Sequence, residues 1–555
     1  MTDSLKIFCI NLGTYIPFSG GETLDDIASR LGDRLGFTPV CARVNNKVED
    51  LVFTVFTPKQ VEFLPYGSPE GKRCHTASLC MVLYRAVESV APGSVLTISH
   101  SVCGGLFCRV DGLTADDANA GLLRREMARL IAEDHPIERR ERPTEDVIRM
   151  FASQGLEQKV KLLHTLHELY TVYYRLDGLA DTCQGPLLPR TGMIRAFDIV
   201  TYRDGFLLLG ADPADPSRVA PMVPQPKVFE AFVQYKRFNR IIGISNAGDV
   251  NEIVEKKEDD MMVNVAEALH NKYIREIADT ITARHRDGGA RVVLIAGPSS
   301  SGKTTFTKRL SIELLTNLIK PVMISLDDYF VDRHRTPLDE NGEKDYESLF
   351  ALDLELFNDH LNRLIAGEEV ELPYYNFEKG EREFRGHRIS LQPDTILLIE
   401  GIHGLNPQLT EGVEERMKYR VYVSALSSIT IDNHNWVSTT DNRLLRRMIR
   451  DYKYRGTSPI DTIARWPSVR RGEEKWIFPY QENADSIFNS SLLFELGVIR
   501  DEAERVLRTV PRDRVEYATA HRLRRFLNYF APIPSRVIPP TSLLREFLGG
   551  SSFHY

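Results

Sequence analysis

The spacing of apolar residues divides this 555-residue chain into two parts with different patterns. From residue 291 onward, apolar runs of strand length occur at residues 291–297, 321–328, 395–401 and 419–425, and helical patterns separate them. Continuous apolar strands that alternate with helices are typical of a parallel sheet with helices on both faces. Residues 291–500 are therefore expected to form an α/β domain.

The first 245 residues show a mixed pattern instead. Residues 1–68 contain short β-rich runs and one amphipathic segment with Thr23 placed as its N-cap, which predicts a small α+β domain. Residues 69–245 combine helical periodicity with strand patterns, so a second α+β domain is expected there.

Two further segments complete the predicted organisation. Within residues 246–290, apolar residues recur every three or four positions from Met262 to Ile281, which predicts a helix that links the two parts. Residues 501–555 are expected to form a helical C-terminal tail, and the apolar residues at 543–548 indicate a short docked helix near its end.

Composition and charge exclude several classes of protein. Hydrophobic residues make up 42% and charged residues 26% of the chain, as in ordinary globular proteins, and the length predicts several domains. The net charge of −7 argues against a protein that grips nucleic acid non-specifically. Seven cysteines without a Cys-x-x-Cys pair indicate neither a disulfide framework nor a zinc ribbon. Without a long apolar run or a secretory leader, the protein is expected to be cytoplasmic and to make no membrane contact.

A phosphate-binding motif follows the first strand of the α/β part. Residues 297–304 read GPSSSGKT, a pattern in which glycines let backbone N–H groups wrap closely around the phosphates of a nucleoside triphosphate. Lys303 is expected to reach the β- and γ-phosphates of ATP, and the hydroxyl of Thr304 is expected to hold Mg²⁺. The residues expected to bind ATP here are Gly297, Pro298, Ser299, Ser300, Ser301, Gly302, Lys303, Thr304 and Thr305.

Acidic residues end the next two apolar runs. Asp327 and Asp328 follow the second run, at the sheet edge where ligands bind, and either could take the proton of an acceptor hydroxyl. A plain strand-to-helix turn is the alternative interpretation. Glu400 ends the third run and is expected to support Mg²⁺ as a Walker B acid does, although a solvated strand end has the same pattern.

Two later segments carry candidate substrate groups. Residues 371–383 contain two tyrosines and a phenylalanine that could stack on a flat ring or form a buried cluster. Arg443, Arg446 or Arg447, and Arg450 recur at helical spacing. Such a run is usually a solvated helix face, but beside a triphosphate it favours a lid that supplies arginines to the transferring phosphoryl group.

The order of these motifs resembles the uridine kinase and phosphoribulokinase family. That family has, in the same order, the stretches AGPSSSGKTT, SLDDYF, ELPYYNFEKGERE, ILLIEGIHGL, RRMIRDYKYRG and WIFPYQENADSIFNSS, which here span about residues 291–495. The resemblance implies a P-loop kinase that uses ATP and Mg²⁺.

The same resemblance implies roles for individual residues. Asp327 matches the catalytic base that takes the proton of a ribose 5′-hydroxyl, and Glu347 matches an acid that holds the ribose hydroxyls. Tyr375 and Phe377 match the aromatic residues around the nucleobase. Arg447 and Arg450 match the arginines of the acceptor and phosphate region, and Arg455 matches the arginine of the lid.

Several positions depart from the pattern of uridine kinases. Their histidine at the pyrimidine edge is Gly380 here, their aspartate at the ribose is Glu347, and a second lid arginine is Thr457. Residues 427–442 also form a longer segment than the family has. These departures leave phosphoryl transfer as the expected reaction and leave the acceptor base open.

The first 245 residues resemble a different family. Residues 5–65 resemble the TGS domain of threonyl-tRNA synthetases, and residues 70–245 resemble their second, editing domain, on stretches such as CHTASLCMVLYRAV and RREMARLIAEDHPIERRE. The catalytic core of a synthetase is absent from the chain, so aminoacylation is not expected.

The editing motif of those synthetases is incomplete in this chain. His75 and Cys183 match two of its four polar positions, but the other two are Leu79 and Leu187. Activation of water needs converging bases and donors, which leucine does not supply. Hydrolysis of mischarged tRNA is therefore not expected, and His75 and Cys183 are either relics or residues of a ligand pocket.

The sequence as a whole predicts an ATP- and Mg²⁺-dependent kinase that acts on a hydroxyl of a nucleoside-like molecule. Its predicted catalytic residues are Asp327, Lys303, Arg447 and Arg450. The alternative is an RNA- or ribosome-associated protein in which nucleotide binding is a switch and the synthetase-like part contacts RNA. Asp327 and the aromatic residues at 374–377 discriminate between the kinase and the switch protein, because a switch needs neither. Both hypotheses are compatible with an oligomer.

Overall fold

The structure, a computed structural model, describes residues 5–554. The first region is a small α+β unit whose elements are β1 (Lys6–Cys9), β2 (Thr14–Pro17), β3 (Glu22–Thr23), α1 (Leu24–Leu31), β4 (Pro39–Val44), β5 (Lys47–Glu49), β6 (Thr54–Val55) and β7 (Gln60–Pro65). Its main sheet has the order β2-β1-β7-β4-β5. The Thr23 hydroxyl accepts a hydrogen bond from the Asp26 N–H at 3.1 Å, so Thr23 is the N-cap of α1, as the sequence predicts.

The second region contains two antiparallel sheets and the helices that pack on them. Its elements are α2 (Pro69–Val90), β8 (Leu96–Val102), β9 (Gly105–Val110), α3 (Asp117–Ala132), β10 (Ile137–Pro143), α4 (Thr144–Ser153), α5 (Glu157–Leu166), β11 (Tyr170–Leu176), β12 (Leu179–Asp181), β13 (Asp198–Tyr202), β14 (Gly205–Leu209) and α6 (Pro226–Ile241). One sheet has the order β13-β14-β9-β8 and the other β10-β11-β12. A single apolar core joins both sheets to α2, α3 and α4. The α+β character predicted for the N-terminal part is confirmed.

Two helices, α7 (Ala247–Glu255) and α8 (Asp259–Arg286), follow the second region. The second of them is the helix that the sequence predicts over residues 259–285. Ile274, Ile277 and Ile281 of α8 pack into the core of the next region. Residues 246–290 thus form two helices, and the longer one is part of that core rather than a free connection.

The third region is built on a parallel sheet, which confirms the predicted α/β class. Its elements are β15 (Val292–Ala296), α9 (Lys303–Thr316), β16 (Lys320–Ser325), α10 (Leu354–Ile365), β17 (Val370–Asn376), β18 (Glu381–Ile389), β19 (Thr395–Glu400), β20 (Lys418–Ser424), α11 (Thr439–Tyr454), α12 (Pro459–Trp476), β21 (Ser486–Asn489) and α13 (Glu495–Leu507). The sheet has the order β16-β19-β15-β20-β21, and all its pairs are parallel. Apolar cores with α8 and α9 on one face and α10 on the other enclose it.

The C-terminal residues continue the packing of the third region. The boundary predicted after residue 500 falls inside α13, so it is not a break in the structure. Helices α14 (Tyr517–Leu527) and α15 (Arg545–Leu548) follow. Leu523 and Leu544 share one apolar cluster with residues of α7, α8 and α11. The division of the chain into domains otherwise stays a prediction.

A segment between β20 and α11, residues 425–438, joins the third region to the second; we call it the connecting segment. It contains most of the stretch that is longer than in uridine kinases. Its Asn433 carbonyl oxygen accepts a hydrogen bond from the Ile98 N–H at 2.7 Å, and Asn435 Nδ2 donates to the Thr182 carbonyl oxygen at 2.8 Å. The extra length therefore forms contacts between the two regions.

Among residues 5–554, no helix has the length and apolar character needed to cross a membrane.

Candidate active site

The phosphate-binding loop leaves the end of β15 and turns into α9. A Cβ atom at Gly297 would lie 1.9 Å from the carbonyl oxygen of Val423, so only glycine fits there. Ser300 and Gly302 have φ angles of 57° and 85°, in the left-handed region. These positions give the loop a tight turn that leads into the N-terminus of α9, and a helix N-terminus of this kind favours an anion.

Two buried arginines of α11 hold this loop in position. Nη1 of Arg443 donates to the Ser299 carbonyl oxygen at 3.0 Å, and Nη1 of Arg446 lies 3.4 Å from the Ser300 carbonyl oxygen. Each guanidinium also forms an ion pair with a buried carboxylate; the partners are Glu473 for Arg443 and Glu495 for Arg446. Because both arginines are committed to loop carbonyls and carboxylates, they support the loop and are not free to bind a phosphate.

A second set of arginines surrounds the buried carboxylate of Asp451. Arg447, Arg450 and Arg455 have nitrogen atoms 3.2, 3.4 and 3.5 Å from its oxygens. Nη1 of Arg447 also donates to the Ser299 hydroxyl at 2.9 Å. Nη1 of Arg450 also lies 3.9 Å from Glu546 Oε1. Two carboxylates thus face three guanidinium groups, so this set keeps a surplus of positive charge beside the loop. Of the pair that helical spacing left open, the structure brings Arg447 rather than Arg446 to this position.

Lys303, Thr304 and Glu400 lie together at the end of the central strands. The Thr304 hydroxyl donates to Glu400 Oε2 at 3.2 Å, and Lys303 Nζ lies 3.4 Å from the Pro298 carbonyl oxygen. Burial raises the pKa of Glu400 to about 7, against the opposing charge of Lys303. A hydroxyl and a carboxylate at this distance form an oxygen donor set of the kind that Mg²⁺ prefers, so these residues fit that ion.

The two aspartates after β16 have different surroundings. Asp328 is half-buried, its carboxylate accepts a hydrogen bond from the Tyr375 N–H at 3.2 Å, and burial raises its pKa. Asp327 is exposed and forms no ion pair within residues 5–554. Burial raises the pKa of both Glu347 and Glu400, and the charge of Asp327 adds to each shift, so the three carboxyl groups lie near one another. Asp328 therefore supports the fold, and Asp327 is available to a ligand.

Three aromatic rings form a cluster beside these carboxylates. The ring centroids of Tyr375 and Phe377 are 5.0 Å apart, and that of Phe330 lies 5.7 Å from Tyr375 and 6.4 Å from Phe377. Tyr375 is buried, whereas the side chain of Phe377 is 59% exposed. The cluster is thus partly a packed core and partly an open apolar face. Sequence reasoning missed Phe330, although it follows the SLDDY stretch directly.

The position that is glycine instead of histidine is filled from elsewhere in the chain. Gly380 has a φ angle of 73°, and a Cβ atom on it would lie 2.6 Å from Nε of Arg333. The N–H of Arg333 donates to the Gly380 carbonyl oxygen at 2.8 Å. Burial raises the pKa of Tyr375, and the positive charge of Arg333 opposes this effect. A guanidinium therefore stands at the edge of the aromatic cluster, and no sequence motif indicated it.

Glu347 is held against helix α12. A Cβ atom on Gly472 would lie 2.3 Å from the Cβ of Glu347, so the glycine makes room for this close approach. Burial raises the pKa of Glu347 to about 7, and the charge of Arg447 opposes this effect. Near neutral pH the carboxyl group therefore changes its protonation state.

This pKa predicts a pH dependence of substrate binding. If Glu347 accepts hydrogen bonds from the acceptor hydroxyls, the KM for the acceptor is expected to fall as pH rises through about 7, because the carboxylate then becomes ionised. The Glu347→Gln variant should lack this step in a pH profile of KM. If the KM of Glu347→Gln showed the same pH dependence as that of the original protein, Glu347 would not be the residue that holds the acceptor hydroxyls.

The C-terminal segment reaches the phosphate-binding loop. The carboxylate of Glu546 accepts hydrogen bonds from the Thr305 hydroxyl at 2.7 Å and from the Thr305 N–H at 3.3 Å. Leu543 lies so close to Gly302 that a Cβ atom there would be 2.2 Å from it. The first-turn N–H groups of such a helix are where phosphates bind. Glu546 therefore stands where a phosphate oxygen would otherwise be.

Removal of this negative charge is expected to strengthen nucleotide binding. Glu546→Gln keeps the size of the side chain but removes the anion from the N-terminus of α9, which is worth about 1 kcal/mol. The Kd for ATP, measured by calorimetry, should fall about fivefold by that estimate. Asp501→Asn, an exposed acid on α13, is the control and should leave the Kd unchanged. An equal or weaker affinity of Glu546→Gln would contradict competition at Thr305.

The two residues that match the editing motif, His75 and Cys183, have different surroundings. His75 is buried, its Nε2 accepts a hydrogen bond from the Arg195 N–H at 2.9 Å, and burial lowers its pKa to about 4. That histidine is a structural acceptor. Cys183 instead lines a cavity, and burial raises its pKa.

Two families match different parts of the chain. The model described as "Phosphoribulokinase / Uridine kinase family" matches residues 292–492. A uridine kinase of Staphylococcus aureus (strain JH9) is 30% identical over 197 residues, which are 35% of this chain and 86% of that relative. The solved structure of a possible uridine kinase from Bacillus stearothermophilus covers 39% of this chain and 100% of its own, with 20% identity and a TM-score of 0.26.

The N-terminal region matches the second family. The threonine–tRNA ligase of Porphyromonas gingivalis (strain ATCC 33277) is 29% identical over 197 residues, which are 35% of this chain. The chain spans only 30% of the length of that ligase. Both resemblances stated from the sequence are confirmed, while the TGS domain in particular stays a prediction.

Proposed function

Because residues 292–492 belong to the phosphoribulokinase/uridine kinase family, we propose that this protein transfers the γ-phosphate of ATP to a hydroxyl group of a nucleoside. The observation that carries the proposal is Asp327. It is exposed, has no ion-pair partner within residues 5–554, and acts together with Lys303 of the phosphate-binding loop on the pKa values of Glu347 and Glu400, which burial raises. A protein that only switches on nucleotide binding has no need of such a carboxylate.

In the proposed reaction, the residues of the chain position the substrates and balance their charge. Asp327 accepts the proton of the attacking hydroxyl, and Glu347 holds the neighbouring hydroxyls. Lys303 binds the β- and γ-phosphates. The developing charge on the transferred group is offset by the surplus positive charge of Arg447, Arg450 and Arg455. When bound, Mg²⁺ held by Thr304 and Glu400 neutralises the β- and γ-phosphate oxygens.

The acceptor is proposed to be a nucleoside whose base lies on Phe377 and beside Arg333. The aromatic cluster offers an apolar face, and base–aromatic stacking contributes about 1–3 kcal/mol. Arg333 offers only hydrogen-bond donors, so it favours a base edge that presents carbonyl oxygens or ring nitrogens. The proposal includes a cytoplasmic location, where ATP and nucleosides are both supplied.

Loss of Arg333 is expected to weaken binding of the acceptor selectively. Arg333→Ala should raise the KM for the preferred nucleoside about tenfold, because a hydrogen bond from a charged donor contributes about 1.5 kcal/mol. The KM for ATP should not change. Arg335→Ala, an exposed neighbour, serves as the control. A larger effect on the KM for ATP than on that for the nucleoside would contradict this position of the base.

A panel assay tests the proposed function. Purified protein is incubated with ATP, Mg²⁺ and each common ribonucleoside and deoxyribonucleoside, and monophosphate products are separated by chromatography. At least one nucleoside should yield its 5′-monophosphate. If none does, the proposal fails.

A second candidate function rests on the N-terminal likeness to threonine–tRNA ligases. In it, the protein binds RNA and uses the nucleotide as a switch. This candidate would be favoured if RNA changed the affinity for ATP and no nucleoside of the panel were phosphorylated.

A further inference from the structure

A cavity of about 550 Å³ lies between the second region and the C-terminal helices. Residues of α2, the loop 181–186, the connecting segment and α14 line it. Neither the phosphate-binding loop nor Asp327 lines it. Sites for small molecules commonly have volumes of about 300–1,000 Å³. The cavity is therefore large enough for a ligand of its own.

A buried charge network contributes Asp181 and His434 to the lining of this cavity. Nζ of Lys159 lies 2.6 Å from Asp181 Oδ1 and 2.8 Å from Asp432 Oδ1, and His434 Nδ1 lies 2.7 Å from Asp181 Oδ2. All four side chains are at most 4% exposed. The network ties the connecting segment to the second region, so this part of the lining is rigid. Within residues 5–554, Nε2 of His434 has no hydrogen-bond partner, although this residue lines the cavity.

Positive charge predominates among the residues that line the cavity. The basic ones are Lys72, Arg73, Arg470, Arg522 and Arg525, and the acidic ones are Glu70, Asp181 and Asp441. Several of these groups pair with one another or with neighbours: Arg522 with Asp441, Arg73 with Glu70 at 3.7 Å, Arg470 with Glu473, and Asp181 with the buried network. Within residues 5–554, Lys72 and Arg525 form no ion pair, so they carry the surplus positive charge of the cavity.

Two groups at the cavity have lowered pKa values, for which burial is the largest cause and nearby cations a further one. Burial and the charge of Arg522 lower the pKa of Arg73 to about 10. Burial and nearby cations, Arg525 among them, lower the pKa of His521 to about 4. An anion placed in this cavity would relieve the repulsion between these groups.

Part of the lining is apolar and offers a flat surface. Trp436 is half-buried at the end of the connecting segment, and Ala77 and Met81 of α2 line the cavity with it. An indole ring that is partly open stacks well on another planar ring. The cavity thus combines cationic groups with an aromatic ring.

We propose that this cavity is a second ligand site, which binds a nucleoside monophosphate. Its phosphate group lies against Lys72 and Arg525, and its base lies against Trp436. The phosphate group of the ligand would account for the cationic residues, and its base would account for the open indole of Trp436. The volume of the cavity suits a molecule of this size. This inference does not depend on the proposed kinase function, because the two sites share none of these residues.

The test uses the fluorescence of the full-length chain, which has three tryptophans, Trp436, Trp466 and Trp476. AMP, GMP, CMP and UMP are titrated into the protein. At least one should give a saturable change in fluorescence that Trp436→Phe abolishes. A change of the same size in Trp436→Phe would show binding elsewhere and would overturn the proposal, as would the absence of any saturable change.

Charge variants provide the matched comparison on α14. Arg525→Ala should raise the Kd about tenfold, because one charge-assisted hydrogen bond is lost. Arg524→Ala removes the same charge from the preceding position. The Arg524 side chain pairs with Glu504 and does not line the cavity. This variant should leave the Kd unchanged. Equal effects of the two variants would overturn the proposal, and so would inorganic phosphate that binds as tightly as the best monophosphate. Thermal unfolding of each variant checks that it remains folded.

Discussion

Replacing Asp327 with asparagine is expected to lower the rate of phosphoryl transfer by about two to four orders of magnitude, the usual contribution of a general base. The physical reason is that asparagine has nearly the shape of aspartate but accepts no proton. The variant should still bind ATP with nearly unchanged affinity, because within residues 5–554 the Asp327 side chain forms no hydrogen bond or ion pair with the residues of the phosphate-binding loop. Turnover is measured by product formation, and ATP affinity by calorimetry.

The neighbouring aspartate provides the control. Asp328→Asn keeps an oxygen that can accept the hydrogen bond from the Tyr375 N–H, so its rate should stay within about an order of magnitude of the original rate. The assignment of the base would be wrong if Asp328→Asn lost as much activity as Asp327→Asn. It would also be wrong if Asp327→Asn lost ATP binding together with turnover.

Replacing Lys159 with methionine is expected to lower the free energy of unfolding by about 3–5 kcal/mol, because it leaves buried carboxylates without their cation. Lys159 is 1% exposed and lies within 2.8 Å of both Asp181 and Asp432. The two carboxylates belong to different regions of the chain. Their mutual repulsion would therefore act directly on the contact between the second region and the connecting segment.

Lys161, two residues further along α5, is the matched control for this prediction. Its ion pairs with Asp249 and Glu252 are partly exposed, and such pairs contribute about 0–1 kcal/mol. Urea unfolding of Lys161→Met should thus resemble that of the original protein. Similar losses in the two variants would show that the buried network does not hold the regions together.

The strands of the third region could be predicted because each is a continuous apolar run. The four runs recognised in the sequence are β16, β19, β15 and β20, which lie side by side in the sheet with β16 at one edge. A strand that is covered on both faces needs no alternation of apolar and polar residues. The edge strand β21 (Ser486–Asn489) was not predicted, because it is only four residues long.

Helical spacing could not assign the arginines of α11 to their roles. Arg443, Arg446, Arg447 and Arg450 all recur at three- or four-residue steps, so the pattern alone gives each of them a neighbour on the same face. Their roles depend on residues distant in sequence. Glu473 and Glu495 commit Arg443 and Arg446 to the loop, whereas Arg447 and Arg450 stay beside it.

Two segments acquire their meaning only from long-range contacts. The connecting segment reads in sequence as extra length, yet it crosses to the second region and completes a cavity there. The position of Glu546 could not be predicted for the same reason, because no local motif links a C-terminal acid to Thr305, 241 residues earlier. The same holds for the single residue Arg333, which lies beside Gly380, 47 positions later in the sequence.

The most direct test of the account is the fate of the γ-phosphate. ATP labelled at that group is incubated with the protein, Mg²⁺ and the nucleoside panel, and both the labelled products and ADP are counted. Transfer to a nucleoside hydroxyl predicts labelled nucleoside monophosphate in equal amounts to ADP, with no such product from Asp327→Asn. ADP and labelled inorganic phosphate in equal amounts, with no labelled nucleoside from any member of the panel, would contradict it.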